Sequence, residues 1–443
     1  MSFGHRFICL CGYLCLWSTF TAPARCQETH FSEYFGPFEP SSTSRSISEA
    51  SGALVPKASA ATSSPAPPPA QNGQAAGSTS FSYQLGLSGL FSFGYSDAKG
   101  EDLEAVQGGG HDPNRNGFTV QNVELAVTGA VDPYFDAGVF IVYQIDAEGE
   151  TVVELEEAYF STRSLPGGLQ VKGGQFFTEF GRFNPRHPHQ WSFVDQPVIM
   201  TRIFGGDGLR SQGARLSWLM PTPAYSELLV GLYNAKGETA VSFLGEEGEE
   251  IAGFPLDDRR ERDLGDLLYS MRWLTGLDLS RTTSLNMGLS ALSGPNASGP
   301  NNRTRIYGAD SYLKWQAARS DKGFPFVAWH TELVYRNYEA GEVPDPVELK
   351  DRGGFSELTW GYRPREVVGL RAEWANANDR DPADPLRDKR TRYSVNWTWY
   401  PTEFSKIRLQ YNRDRLEFLA ERDLNSLWLS LEVNLGKHMA HTF

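Results

Sequence analysis

The sequence predicts an all-β chain: a 16-stranded antiparallel transmembrane β-barrel behind a disordered N-terminal linker. Three observations predict it. Apolar and polar residues alternate through most of the 443 positions, short and long connections alternate in turn, and the composition favours strands. The 44 Gly, 11 Trp, 18 Tyr and 27 Phe suit strands and turns better than helical bundles. A formal net charge of −13 argues against a nucleic-acid partner, which would need a basic face. No apolar run reaches the roughly 18 residues of a membrane-spanning helix.

Residues 1–24 read as a signal peptide. His5 and Arg6 precede an apolar stretch from Phe7 to Phe20, and Ala22-Pro23-Ala24 offers a small-x-small cleavage site. Cleavage after Ala24 would remove Cys9, Cys11 and Cys15 and leave Cys26 as the only thiol, so no disulfide framework is expected. Arg25, just before that cysteine, is not the small residue of a lipoprotein signal. Residues 25–80 read as a Ser/Ala/Pro-rich disordered linker, typified by Ser64-Pro65-Ala66-Pro67-Pro68-Pro69-Ala70. Such a segment buries too little surface to offset its ordering entropy. Residues 81–443 form the barrel domain.

Within that domain the alternation is plain. Leu427, Leu429, Leu431, Val433 and Leu435 interleave with polar neighbours, as do Tyr393, Val395, Trp397 and Trp399, or Phe135, Ala137, Val139, Ile141 and Tyr143. Period two puts one apolar and one polar face on each strand. A soluble sandwich and a membrane barrel both fit that pattern. The connections decide between them. Short turns are expected at 131–134, 165–168, 221–224, 275–280, 318–325, 363–365 and 400–403. Longer polar segments are expected near 96–117, 146–151, 177–208, 236–265, 293–302, 339–353, 378–389 and 416–423. Seven short and eight long connections, strictly alternating, join 16 strands with tight turns at one rim and long loops at the other. Trp218, Trp273, Trp315, Trp360, Trp374 and Tyr400 cluster at strand ends like an interfacial girdle, and the chain ends on Phe443, as bacterial outer-membrane barrels usually do.

Catalysis has little support. The histidines form no recognisable Ser/His/Asp or H-E-x-x-H arrangement, and no cofactor is implied. A barrel-borne hydrolase, with Ser and His meeting across strands, is a distant alternative. The informative segment is the third long connection. It carries Phe193, Val194, Val198, Ile199 and Phe204, which an external loop would not need. Folded inside the barrel it would form a constriction, with Arg182, Arg186, His187, His189 and Arg202 selecting solutes by charge. The blander reading pairs its arginines with Glu179, Asp195 and Asp207 of the same segment. His187 and His189 alone complete no metal coordination sphere. Expected pore-lining residues are Arg215, Arg272, Arg371, Arg392 and Arg408, with Lys314 and Lys406. They are matched by Glu124, Asp136, Asp310, Glu332, Glu357, Glu373 and Glu432. A charged interior favours a watery channel. The outer loops are acidic, with nine acids and four bases in 236–265, which suits a solvated rim or cation-bridged contact with lipopolysaccharide.

The run Gly174-Gln175-Phe176-Phe177-Thr178-Glu179-Phe180-Gly181-Arg182, the histidine pair after it, Val120-Gln121-Asn122-Val123-Glu124-Leu125 and Leu155-Glu156-Glu157-Ala158-Tyr159 resemble the phosphate-selective porin O/P family. The resemblance spans roughly 81–443 and is strongest in the first third. It implies a 16-stranded outer-membrane channel, trimeric in the manner of that family, with the third loop folded into the pore. Its better-known members draw anion selectivity from lumen arginines and constriction lysines; here the third loop holds no lysine. The expected protein is therefore an exported, integral outer-membrane porin and not an enzyme. Small hydrophilic solutes or ions, including anions such as phosphate, would diffuse through it. Its partners would be outer-membrane lipid, lipopolysaccharide and two further copies in a homotrimer. The competing expectation is a closed barrel used for surface binding or structure.

Overall fold

In a computed structural model of the chain, residues 82–98, 100–146, 149–246, 248–341, 347–377, 384–419 and 421–436 are described. The expected signal peptide, nearly all of the linker and the terminal Phe443 lie outside the described residues. Sixteen antiparallel strands close into one barrel, each paired with its sequence neighbours, as expected. They are β1 (Ser82–Ser96), β2 (Gly117–Ala130), β3 (Phe135–Ile145), β4 (Thr151–Thr162), β5 (Leu169–Phe177), β6 (Arg210–Leu219), β7 (Tyr225–Tyr233) and β8 (Leu268–Ser280). The rest are β9 (Thr283–Pro295), β10 (Arg303–Asp321), β11 (Phe324–Ala340), β12 (Val347–Arg363), β13 (Glu366–Ala377), β14 (Arg390–Thr402), β15 (Ser405–Leu416) and β16 (Asp423–Leu435). Closure is by β1 on β16, in register from Leu87↔Leu435 to Ser96↔Ser426.

Two expected connections move. The turn placed at 275–280 is strand, because β8 continues to Ser280 and reverses at Arg281-Thr282. The long segment at 339–353 is mostly strand too, since β11 reaches Ala340 and β12 begins at Val347. In both places Leu277, Leu279, Val347 and Leu349 alternate with charged or small residues, and local polarity alone does not separate a loop from a strand end.

The pleat sorts the side chains as the alternation requires. Along β16 every second residue from Leu427 to Leu435 is exposed, while Trp428, Ser430, Glu432 and Asn434 are buried inward. Exposed aromatics lie toward both rims of the barrel. Trp218, Trp315, Trp360, Trp397, Trp399, Tyr83 and Tyr134 lie toward the short turns, and Trp374, Tyr95, Tyr143, Tyr269, Tyr307 and Tyr393 toward the long loops. An apolar wall bounded by amphipathic rings is the surface of a membrane-spanning barrel.

The core lies inside the barrel. Connection 178–209 turns inward and carries the short helix α2 (Val198–Phe204), whose Val198, Ile199, Met200, Ile203 and Phe204 are buried. With Phe243, Leu244 and Leu256 of connection 234–267 they pack on inward-facing Tyr233, Leu268, Leu292, Ile306, Val334 and Phe355. Connection 97–116 adds α1 (Glu101–Val106), whose Leu103 and Val106 join a second cluster with Val194, Leu416, Leu424 and Trp428.

Candidate functional site

The third long loop, 178–209, leaves β5 and is fixed to the barrel wall along its length. Its entry uses glycine for a steric reason. Gly181 sits at φ +58, and a Cβ there would lie 2.2 Å from Glu332 Oε2. Without that Cβ, the N–H groups of Arg182 and Phe183 both donate to Glu332 Oε1 at 2.6 Å. Two successive amides turned on one carboxylate are a backbone anion nest.

The far end of the loop docks on β13 to β15. Asp195 is fully buried and ion-paired with Arg371 and, at 3.0 Å, with Arg392. Gln410 and Asn412 each donate to it at 2.8 Å. Burial alone would raise the Asp195 carboxyl, but the two arginines hold it down at about 2. Loop carbonyls take the remaining wall donors: His189 O accepts from Lys406 Nζ at 2.8 Å, Trp191 O from Arg408 at 3.0 Å and Ser192 O from Asn396 at 2.9 Å. The first connection, 97–116, buttresses this end. Asp112 Oδ1 accepts from the N–H of Gln196 at 2.7 Å and Oδ2 from that of Gly109 at 3.0 Å. Burial and the nearby Asp195 charge push the Asp112 carboxyl up to about 7.

On the β2–β4 wall the loop presents His187 to three carboxylates. Its Nδ1 lies 3.1 Å from Glu124 Oε2 and 2.8 Å from Glu156 Oε2, and its Nε2 lies 3.1 Å from Glu157 Oε2. Sequence alternation would send one of the adjacent pair Glu156 and Glu157 outward. Both point inward because β4 carries a β-bulge: Phe140 opposes Glu157 while Ile141 opposes Leu155, leaving Glu156 as the extra residue.

The five arginines expected to line the pore all face inward and are buried. They are bonded rather than free. Arg215 reaches Glu179 at 2.7 Å, Arg272 reaches Asp310 at 2.9 Å, and Arg392 reaches Asp414 at 2.8 Å. Arg408 donates to Thr398 Oγ1 at 3.1 Å, besides Trp191 O. The loop's own residues divide. His187 and His189 are buried at the wall, Arg182 stacks 3.8 Å over the Tyr312 ring, and Arg186 is half-buried beside the His187 segment. Arg202 is spent elsewhere: its guanidinium donates to the carbonyls of Leu386, Arg387 and Asp388 in the seventh long connection. The blander sequence reading is corrected, since Asp195 and Glu179 pair with wall arginines and not with those of the loop. Lumen side chains toward the short turns, among them Lys172, Glu227, Asn286 and Lys314, are only half-buried, so water enters from that end.

No protein-family profile matches the sequence. An uncharacterized protein of Aquifex aeolicus (strain VF5) is 32% identical over 361 residues, which covers 76% of this chain and 73% of that protein. The two chains belong to one family. Among solved structures, the outer membrane channel DcaP of Acinetobacter baumannii superposes with a TM-score of 0.52 at 12% identity, covering 80% of this chain and 97% of that one. OprB of Pseudomonas putida gives a TM-score of 0.48 at 11% identity, over 80% and 94% of the two chains. The likeness to the DcaP channel is one of fold, the closed antiparallel barrel.

Proposed function

We propose that this chain is an outer-membrane porin-type channel in which the third loop governs passage of small hydrophilic solutes, with a preference for anions. The observation that carries the reading is the way the loop is held. Its far end is fixed to the wall through Asp195 and three backbone carbonyls, all on cationic or amide side chains of β13 to β15. Contacts of that kind exchange with water. Withdrawal of the loop would leave Arg371, Arg392, Lys406 and Arg408 along one side of the lumen, beside Glu373, Asp414 and Glu432 but no longer neutralised by Asp195, which tilts that side toward anions. Anions such as phosphate among the solutes and membership of the phosphate-selective O/P family belong to the same proposal, as do signal-directed export, a flexible 25–80 linker, lipopolysaccharide contact through the acidic loops and a homotrimer.

A second reading, a closed barrel used for binding or structure, is favoured by the apolar cluster that packs the long-loop half of the lumen. Planar-bilayer recordings separate the two. For a channel, the full chain gives small steps, and deleting residues 182–205 gives larger steps with an anion-selective reversal potential. If a folded barrel conducts neither with nor without the loop, the channel reading fails.

A further inference from the structure

Around His187 the wall and the loop bring together groups that hydrogen bonding alone leaves unsatisfied. Glu124, Glu156 and His187 are buried, and each places a ligand atom within 4.8 Å of the others. Glu156 is the bulge residue of β4 and is fully buried; its Oε2 shares the single His187 Nδ1 with Glu124, and its Oε1 has no hydrogen-bond partner among the described residues. Its nearest cations other than His187, His111 Nε2 and Arg210 Nη1, both stand 3.9 Å away. An unbonded buried carboxylate costs several kcal/mol unless a cation meets it. His189 Nδ1 is likewise unpartnered, 3.6 Å from Glu124 Oε2, and its residue is 8% exposed.

We propose that Glu124, Glu156 and His187 bind a divalent transition-metal ion of the zinc class, with His189 beside Glu124, and that the ion fastens the third loop to the β2–β4 wall. Bonds of about 2.0–2.2 Å from oxygen and imidazole nitrogen to zinc make the edges of a tetrahedral site about 3.3 Å. The distances from His187 Nδ1 to Glu156 and Glu124, 2.8 and 3.1 Å, and from His189 Nδ1 to Glu124, 3.6 Å, bracket that edge. Glu157 accepts from His187 Nε2 at 3.1 Å, which fixes the tautomer and leaves the Nδ1 lone pair directed at the two other carboxylates. A carboxylate behind a histidine is the usual support of a metal-bound imidazole. Lys172, 3.5 Å from Glu157, balances that carboxylate's charge. The rings of Phe140 and Phe177, with centroids 4.8 and 5.5 Å from that of His187, keep the surroundings apolar. An imidazole nitrogen between two carboxylates favours zinc-like ions over calcium or magnesium, which prefer oxygen alone. The competing occupant is a proton on His187 Nδ1.

The test titrates Co2+ into the refolded, chelator-treated full chain, follows its visible d–d absorption, and then displaces it with Zn2+. One saturable Co2+ per chain with strong tetrahedral bands is expected. Glu156→Gln should abolish it, and Glu157→Gln should weaken it by roughly 10–100-fold. Heat-modifiable electrophoretic mobility checks that each variant is a folded barrel, and Glu124→Gln replaces Glu156→Gln if the latter does not fold. A folded wild-type barrel that takes up no Co2+ leaves the proton as occupant and overturns the proposal. Uptake unchanged in Glu156→Gln, Glu124→Gln and His189→Ala would place the ion on the acidic outer loops and overturn it equally.

Discussion

Asp195 is the residue on which the docked loop depends most, because Arg371, Arg392, Gln410 and Asn412 all converge on it inside the barrel. Replacing it by alanine would take one carboxylate from two buried guanidinium groups that keep Glu373 and Asp414, so the loss should fall below the about 3–5 kcal/mol of a fully broken buried ion pair. The barrel ladder does not include Asp195, so the loss should fall on loop docking. Asp195→Ala is expected to keep heat-modifiable mobility while becoming cleavable by protease within 178–209; a resistant loop would refute the assignment. Asp112 adds a pH dependence at the same place. It faces Asp195, Arg392 and the N–H groups of Gln196 and Gly109. Its carboxyl is raised from 3.8 to about 7 when docked, so the docked loop holds the proton more tightly than the free loop. The stability from that proton is complete below about pH 4 and is lost as pH rises through about 7. Protease cleavage of the loop should therefore speed up between about pH 5 and 7.5, and Asp112→Asn should flatten the profile. An unchanged profile in that variant would remove Asp112 from the mechanism.

At the scale of elements, the bulge in β4 is the device that converts a regular wall into a site. Deleting Glu156 restores one-to-one pairing on β3, because Phe140–Glu157 and Ile141–Leu155 are already in register on either side. Such a variant should fold as a barrel yet release the His187 end of the loop, seen as protease sensitivity near residues 182–190 with unchanged heat-modifiable mobility. Failure of the barrel to form would show that the bulge sets strand register instead. This element also marks the limit of what the sequence discloses. Strand number, closure and the inward arginines follow from period two and from the rhythm of short and long connections, since each is a local pattern. The pair Glu156-Glu157 breaks the period, and no local rule says which of two adjacent acids turns inward. The partners of Asp195 lie some 175–220 positions away in the chain, at Arg371, Arg392, Gln410 and Asn412, and register alone brings them to it. The aromatic and apolar content of 178–209 correctly signalled a loop turned into the barrel. The use of Arg202 on carbonyls 386–388 was invisible, because it depends on where a distant loop comes to rest.

For the whole molecule, the outward face is a prediction about surroundings. Trp218, Trp273, Trp315, Trp329, Trp360, Trp374, Trp397 and Trp399 are exposed on the wall, while Trp191 and Trp428 are buried inside. In a bilayer the first eight would meet acyl chains or the interfacial region and the other two would not. Lipids brominated on their acyl chains should therefore quench roughly four-fifths of the tryptophan emission of a lone barrel, with a remainder unaffected by bromine depth. A homotrimer changes the arithmetic, because each copy covers part of its neighbour's wall and shields the tryptophans there. Quenching well below that fraction, restored to it by conditions that dissociate the oligomer, is the result expected of three associated copies. Full quenching at every protein-to-lipid ratio would instead describe a barrel that stands alone in the membrane. In that case whatever passes is decided within one wall, by the loop that Asp195 holds.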